Sequence, residues 1–362
     1  MLNWRDPFSP LAGGAERVTH AHLAELARRG HEVFWFANAF AGCRPEDRLD
    51  GVQILRGGGK FTSILAARRW YRRQPRFDLV IDQHHGIPWF APWWCGTNCL
   101  AYIHEVLGPI WDSFYPWPLS AIGRWQERWT HWLYRRVPFW TVSPSTATAL
   151  RAHGVREVQV WPNGIHTVAL ERPVDKSLAP PWRLIVVSRL APNKRIDHCL
   201  RALKLLLDSG AATTLTVVGT GECEAGLQQL ARSLGIAAQV EFTGKLTEAE
   251  KDRLLRDAHL LVHTSLREGW GLNVTEANAM GTPAVVYPVG GLVDSTVHGQ
   301  TGLVVEAETP AALAAGVREA LRDEAAYRAM CARALERARS LHWSRVLPAT
   351  CDWLETMARG KS

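Results

Sequence analysis

The segment LLVHTSLREGWGLNVTEANAMGTPAVVYP, residues 260–288, holds a short apolar run, a glycine loop, a helix-compatible stretch and a second apolar run. A buried run, a crossover helix and another buried run make one βαβ unit of a parallel sheet. The same alternation extends upstream through LIVVS at 184–188, LTVVG at 215–219 and VEFTG at 240–244. Between them lie helical patterns such as Ile196, Cys199, Leu200, Leu203, Leu206 and Leu207, and Thr247 with Glu250 forms a capping box opening the helix after VEFTG. This series predicts a Rossmann-like α/β domain.

The first half repeats the pattern. Apolar or small residues recur at helical spacing from Val18 to Gly30, HEVFWFA at 31–37 reads as a buried strand, and a helix over 61–73 leads to the strand DLVID at 78–82. CLAYIHE at 99–105, FWTVS at 139–143 and VQVWPNG at 158–164 continue the series, with Ser143 or Ser145 placed to cap the helix at 146–153. The Pro-rich ERPVDKSLAPPW at 171–182 has no periodicity and reads as a linker. The expected organisation is therefore a domain over 1–170, the linker, a second domain over 183–341 and a closing helix over 342–362.

With 362 residues, 47% apolar and 21% charged, the chain can bury real cores, which excludes a disordered or fibrous protein. Seven Cys, an odd number without a regular framework, read as reduced thiols of a cytosolic protein. The longest uncharged run, 86–103, contains Pro88 and Pro92, which speaks against a spanning helix. The net charge of +7 is uneven: residues 1–170 carry 19 Lys and Arg against 13 Asp and Glu, and the rest 23 against 22. Nine of the 17 Trp also fall in the first half, from Trp89 to Trp140, beside Arg124, Arg128, Arg135 and Arg136. The surplus is modest and no recognition motif accompanies it, so a nucleic-acid partner is not expected.

Candidate chemistry concentrates at 267–283. Glu268 lies in the glycine loop and Glu276 about two turns into the helix, which lets both address one ligand end-on. Gly269 and Gly271 permit close backbone approach, and the helix start offers free N–H groups, a combination suited to phosphate. Taken alone, E-x₇-E is also what a strand-to-helix turn with two solvated carboxylates looks like. SRLAPNKR at 188–195 adds Arg189 and Lys194 after the first strand of the same domain, and two such cations meet the charge of a diphosphate. Gly219, Gly221 and Gly226 give G-x-G-x₄-G, a tight turn at a strand end rather than a dinucleotide fingerprint.

The ordered set SRL…NK, VVGTG, VEFTGKL, E-x₇-E and GTPAVVYPVGG resembles the donor-binding domain of the retaining glycosyltransferases of family 4. The first half is similar too, through AGGAERVTHAHLAELARRGHEV at 12–33, YIHE at 102–105, TVSPST at 141–146 and WPNGI at 161–165, and HWSRV at 342–346 resembles the family's closing helix. The resemblance implies the GT-B fold, α/β with two Rossmann-like domains facing each other across a cleft. It implies a nucleotide sugar, UDP- or GDP-linked, as donor and a glycan or lipid-linked hydroxyl as acceptor, with no cofactor and no metal. Carried over by position, Arg189 and Lys194 hold the diphosphate, Glu276 the ribose, Glu268 the transferred sugar, and the backbone of Trp270, Gly271, Leu272 and Asn273 completes that site beside Gly269 and Gly219. Base contacts are expected around Phe242, Lys245 and Leu246. Gly13 and Gly14 match the loop that faces the diphosphate, and His104 a histidine near the reaction centre; His84 and His85 are weaker candidates for the acceptor side.

A leaving phosphate oxygen that accepts the acceptor's proton on the same face accounts for retention without a protein nucleophile; Glu268 as a nucleophile is the alternative. No Asp-x-Asp metal motif is present, so the cations and the helix start take the part a metal fills elsewhere. Two departures from the family stand out. Only six residues precede the first proline and glycine loop, leaving LNW at 2–4 as a stub of the first strand or the natural start upstream, and Arg195 stands where many relatives have Gly. Three readings of the Trp-rich segment stay open: a core, as for Trp125, Trp129 and Trp132 along one helix face; a peripheral contact with the inner face of a membrane; or stacking on an oligosaccharide. Rival functions are a GT-B epimerase or phosphorylase and a non-catalytic sugar-binding protein.

Overall fold

In the computed structural model, which describes residues 1–59, 62–84 and 86–360, the chain forms two compact units. The first comprises 1–108, 118–164 and 343–360; the second comprises 109–117 and 165–342.

The first unit opens with helix α1 (Gly14–Arg28) and strand β1 (Phe34–Ala37), followed by the hairpin β2 (Glu46–Leu49) and β3 (Val52–Arg56). The hairpin turns on Asp50 and Gly51, both at positive φ (46° and 85°), as a two-residue turn joining twisted strands requires. Then come α2 (Ser63–Tyr71), β4 (Leu79–Gln83) and β5 (Asn98–Ile103), and in the second unit the short α3 (Ile110–Phe114). Back in the first unit lie α4 (Leu119–Leu133), β6 (Phe139–Thr141), α5 (Pro144–Ala152) and β7 (Val158–Val160). Ser143 caps α5, its Oγ accepting the Thr146 N–H at 3.3 Å. Strands β4-β5-β6-β7 and β1-β3-β2 form two ribbons, and Leu2 bridges them in parallel to Asp82 and Phe36. LNW is thus a stub strand: Leu2 N–H donates to Ile81 O (2.8 Å) and Phe36 N–H to Met1 O (2.9 Å).

The second unit carries β8 (Trp182–Val187), α6 (Ile196–Asp208), β9 (Thr213–Val218), α7 (Glu224–Ser233), β10 (Val240–Gly244) and α8 (Glu248–Asp257). It continues with β11 (Leu260–His263), α9 (Leu272–Ala279), β12 (Ala284–Val286), α10 (Leu292–Ser295), β13 (Gly302–Val304), α11 (Pro310–Ala320) and α12 (Glu324–Ser340). Helix α13 (Trp343–Arg359) returns to the first unit and packs on α1. All six strands pair in parallel in the order β10-β9-β8-β11-β12-β13. Their central residues, such as Leu184 to Val186 and Leu260 to Val262, are buried on both faces, so they read as continuous apolar runs. Counted within the unit the order is 3-2-1-4-5-6, which reverses direction between β8 and β11, and ligands of such sheets bind beyond the strand ends at that point.

Candidate active site

The two loops leaving β8 and β11 meet at this switch point and are stitched together. Leu266 N–H donates to Asn193 O (2.9 Å), and the Thr264 hydroxyl reaches the carbonyls of Lys194 and Arg195, each at 2.9 Å. Arg195 closes the seam from the other side, its guanidinium donating to Thr264 O (2.8 Å) and Ser265 O (2.9 Å). The seam holds Lys194 against Glu268 as an ion pair. Ser265 Oγ donates to the same carboxylate oxygen at 2.7 Å, and His263 Nε2 stands 3.5 Å from it. Burial alone would raise the Glu268 pKa; Lys194, His263 and the hydrogen bonds outweigh it and hold the carboxyl below its ordinary value. His263 is buried and its pKa is pushed down to about 4, chiefly by desolvation.

Glycines let the backbone close around this pair. Gly291 has φ +81°, and a Cβ there would lie 2.1 Å from the carbonyl oxygen of Glu268, whose own N–H donates to Gly290 O (3.1 Å). Gly219 has φ +130°, with a Cβ position 1.9 Å from Ser188 O, so the β9 loop rests directly on the end of β8. Gly271, at φ +90°, starts α9. The amides of Gly269, Trp270, Gly271, Leu272 and Asn273 meet no protein acceptor among the described residues, which leaves five donors at a helix start for an anion. Asn273 ties this start to the neighbouring strand through Nδ2 to Val187 O at 2.7 Å. Trp270 is buried and its indole N–H goes to Thr275 Oγ1 (3.1 Å), so it fixes the loop from behind.

Glu276 lies on the second turn of α9 and accepts from Lys251 Nζ at 2.9 Å; Lys251 also pairs with Glu248 at 2.5 Å. Arg189 is exposed, and among the described residues its guanidinium has no acceptor. Phe242 and Leu246 are half-buried against the core of the second unit and Lys245 is exposed, while Gly219 N–H to Gly244 O (2.9 Å) joins the β9 and β10 ends. The remaining candidates belong to the first unit. Gly13 and Gly14 begin α1, where Glu16 accepts the Gly13 N–H at 2.7 Å, and His104 follows β5 with its ring 4.6 Å from that of Tyr102. His84 is buried edge-on against Tyr134 and Phe139 with Nε2 3.7 Å from Asp82, a core histidine; His85 lies outside the described residues. Among the described residues no three His, Cys, Asp or Glu cluster as a metal would require.

Ser265, His263 and Lys251 escape the sequence reading. Ser265 and His263 sit within an apolar strand and its exit, and Lys251 looks like an ordinary solvated helix residue. Only the fold turns them toward the two glutamates.

The sequence of residues 171–339 matches the family model "Glycosyl transferases group 1", and residues 12–168 match "Glycosyltransferase Family 4". A glycogen synthase of Mycobacterium tuberculosis is 32% identical across the whole of this chain and 95% of its own length. The chain belongs to glycosyltransferase family 4. Among solved structures, this glycosyltransferase is similar to a sucrose-phosphate synthase from Thermosynechococcus elongatus (18% identity, 99% of this chain and 98% of that one, TM-score 0.82). It is also similar to Anabaena HepE in complex with UDP-glucose (18% identity, 98% of each chain, TM-score 0.74). At that identity the likeness establishes the GT-B fold.

Proposed function

We propose that this glycosyltransferase moves a hexose from a nucleotide-diphosphate sugar, UDP- or GDP-linked, to a hydroxyl of a glycan or lipid-linked acceptor, with retention of anomeric configuration and without a metal. The observation that carries the reading is the Lys194–Glu268 pair at the switch point, beside five amide donors at the start of α9. In this reading the diphosphate takes Lys194, Arg189 and those amides, and the developing charge on the leaving group is met by fixed donors in place of a cation. Donor binding frees Lys194 from Glu268, whose carboxylate turns to the sugar hydroxyls while Ser265 keeps it oriented. Glu276, steadied by Lys251, takes the ribose hydroxyls. By the family resemblance, Gly13, Gly14 and His104 are the first unit's candidates for the diphosphate and the transferred sugar. The acceptor hydroxyl attacks on the face the phosphate leaves and hands its proton to the departing oxygen. Relatedness to a glycogen synthase supports a glucose-class donor.

We place the reaction in the cytoplasm, at the inner face of a membrane that the first-half domain meets. Seven free cysteines support the compartment, and no described helix is long and apolar enough to cross a membrane. The test is incubation with a panel of UDP- and GDP-sugars, reading nucleotide release and the anomeric proton of the product by NMR. Axial donors giving axial products support retention; free isomers of the nucleotide sugar, or a need for inorganic phosphate, assign the fold to an epimerase or phosphorylase.

A further inference from the structure

Helix α4 is amphipathic in the reverse sense. Its buried residues are Ser120, Gly123, Glu127, Thr130 and His131, whereas Leu119, Ile122, Trp125, Trp129 and Trp132 are 43–67% exposed. The core reading of Trp125, Trp129 and Trp132 is therefore overturned: helical spacing does align them, but on the outer face. Inward polar contacts fix this orientation. Glu127 accepts the N–H groups of Leu107 (2.6 Å) and Gly108 (2.9 Å), and His131 Nδ1 hydrogen-bonds His153 Nδ1 at 2.8 Å. A helix turned the other way would bury the indoles but strand a carboxylate away from its two amides.

The outward stripe runs about 20 Å along the helix and leaves on the order of 500 Å² of side chain in water, at the upper end of what a soluble surface carries. The charged side chains of α4 other than Glu127 are basic. Arg124 and Arg128 flank the stripe on α4, and Arg135 and Arg136 follow it. Arg135 lies over the Trp132 ring at 4.1 Å. The acid of α4, Glu127, is turned inward. Trp with Arg on an exposed helix face is the composition of a membrane–water interface, where indoles sit at headgroup level and guanidinium groups meet phosphates. A sugar platform would set one or two rings beside carboxylates or amides free to bond hydroxyls; on α4 the carboxylate, Glu127, is buried, and the amide, Gln126, is half-buried and donates to Thr130 Oγ1 (2.7 Å) and Gly86 O (3.4 Å).

We propose that the outer face of α4 docks on an anionic phospholipid surface. The proposal deepens the membrane part of the functional reading above by naming the surface and the lipid chemistry, and its readout is independent of donor binding. The test is co-sedimentation of the full chain with vesicles of phosphatidylcholine alone and with 30% phosphatidylglycerol, for the wild type, Trp125→Ser/Trp129→Ser/Trp132→Ser and Arg128→Glu/Arg136→Glu. Wild type is expected to bind the anionic vesicles at least tenfold more tightly than the neutral ones, weakening with salt. Both variants should lose tenfold or more while keeping the wild-type Tm and nucleotide-sugar thermal shift, since the substituted residues are exposed. Equal binding by wild type and both variants, or no vesicle binding, overturns the proposal. A Trp variant that changes only the oligomeric state in sedimentation velocity gives the face to a second copy, and one that loses only oligosaccharide binding gives it to a glycan; either result overturns it too. Failure here with donor binding intact leaves the transferase reading standing.

Discussion

Lys194 and Glu268 form an ion pair between the loops that leave β8 and β11, with Ser265 donating to the same carboxylate oxygen. In the proposed reaction the pair opens, and each group turns from its partner to the donor. Lys194→Met should weaken nucleoside diphosphate binding by about 100-fold, the loss of a charge-assisted contact, when titrated by calorimetry. It should also raise the Glu268 pKa, because burial is then less opposed. Glu268→Gln should retain diphosphate binding within a few-fold and lose most turnover.

Arg195 occupies the left-handed region, φ +49°, at the entry to α6. Its side chain explains how a residue with a Cβ is held there: two carbonyls of the β11 loop, Glu308 at 2.7 Å and the Tyr287 ring at 4.9 Å all anchor the guanidinium. Arg195→Gly removes the anchors and the strain together, whereas Arg195→Ala removes the anchors and keeps the strain of about 1 kcal/mol. The alanine variant should therefore have the lower Tm and the weaker diphosphate binding. Equal behaviour of the two would show that backbone strain has no part.

Gly291→Ala should be among the most damaging single methyl additions. It forces a Cβ at φ +81° into the Glu268 carbonyl and displaces the carboxylate with it. A loss of 2 kcal/mol or more, on the order of several degrees in Tm, is expected together with loss of donor binding. Gly226→Ala, on helix α7 with nothing within 4 Å, is the control that should keep donor binding and leave the Tm unchanged or slightly raised.

Stability should fall on acidification from pH 7 to 5. Burial holds His22 and His263 neutral down to about pH 4 and His131 to about 3, while an unfolded histidine protonates near 6.5. Their contributions are present above 6.5 and are lost as the pH drops toward the folded values, each worth up to about 3 kcal/mol. Asp82 opposes them: burial raises it to about 6, so its contribution is present near pH 4 and is lost as the pH rises through 6. Three histidines outweigh one carboxyl. A Tm at pH 5 equal to or above that at pH 7 would contradict the burial of neutral imidazoles.

Much of the fold is legible because parallel strands buried on both faces write themselves as apolar runs, as LIVVS and LLVHTS do. The β2–β3 hairpin is missing from the sequence reading although Asp50-Gly51 carries its signal; Glu46, Asp47 and Arg48 are polar and only Leu49 is apolar, so no apolar alternation draws attention to the strand. The glycine loop, Lys194 and the two glutamates are visible as motifs. Their partners are not: Lys251 reaches Glu276 across 25 positions, and no local pattern encodes that distance. The direction α4 faces is hidden for a related reason, since periodicity tells which residues share a face but not which face is inside. That choice is made by Glu127 and the amides of Leu107 and Gly108.

The central claim, a nucleotide-sugar site built on Lys194, Glu268 and Glu276, is tested most directly by titrating UDP and GDP, and then their sugars, into the wild type, Lys194→Met and Glu276→Gln. One nucleotide series should bind the wild type, with affinity falling about 100-fold in Lys194→Met and about tenfold in Glu276→Gln while both variants keep their fold. Unchanged affinity in both folded variants would contradict the account.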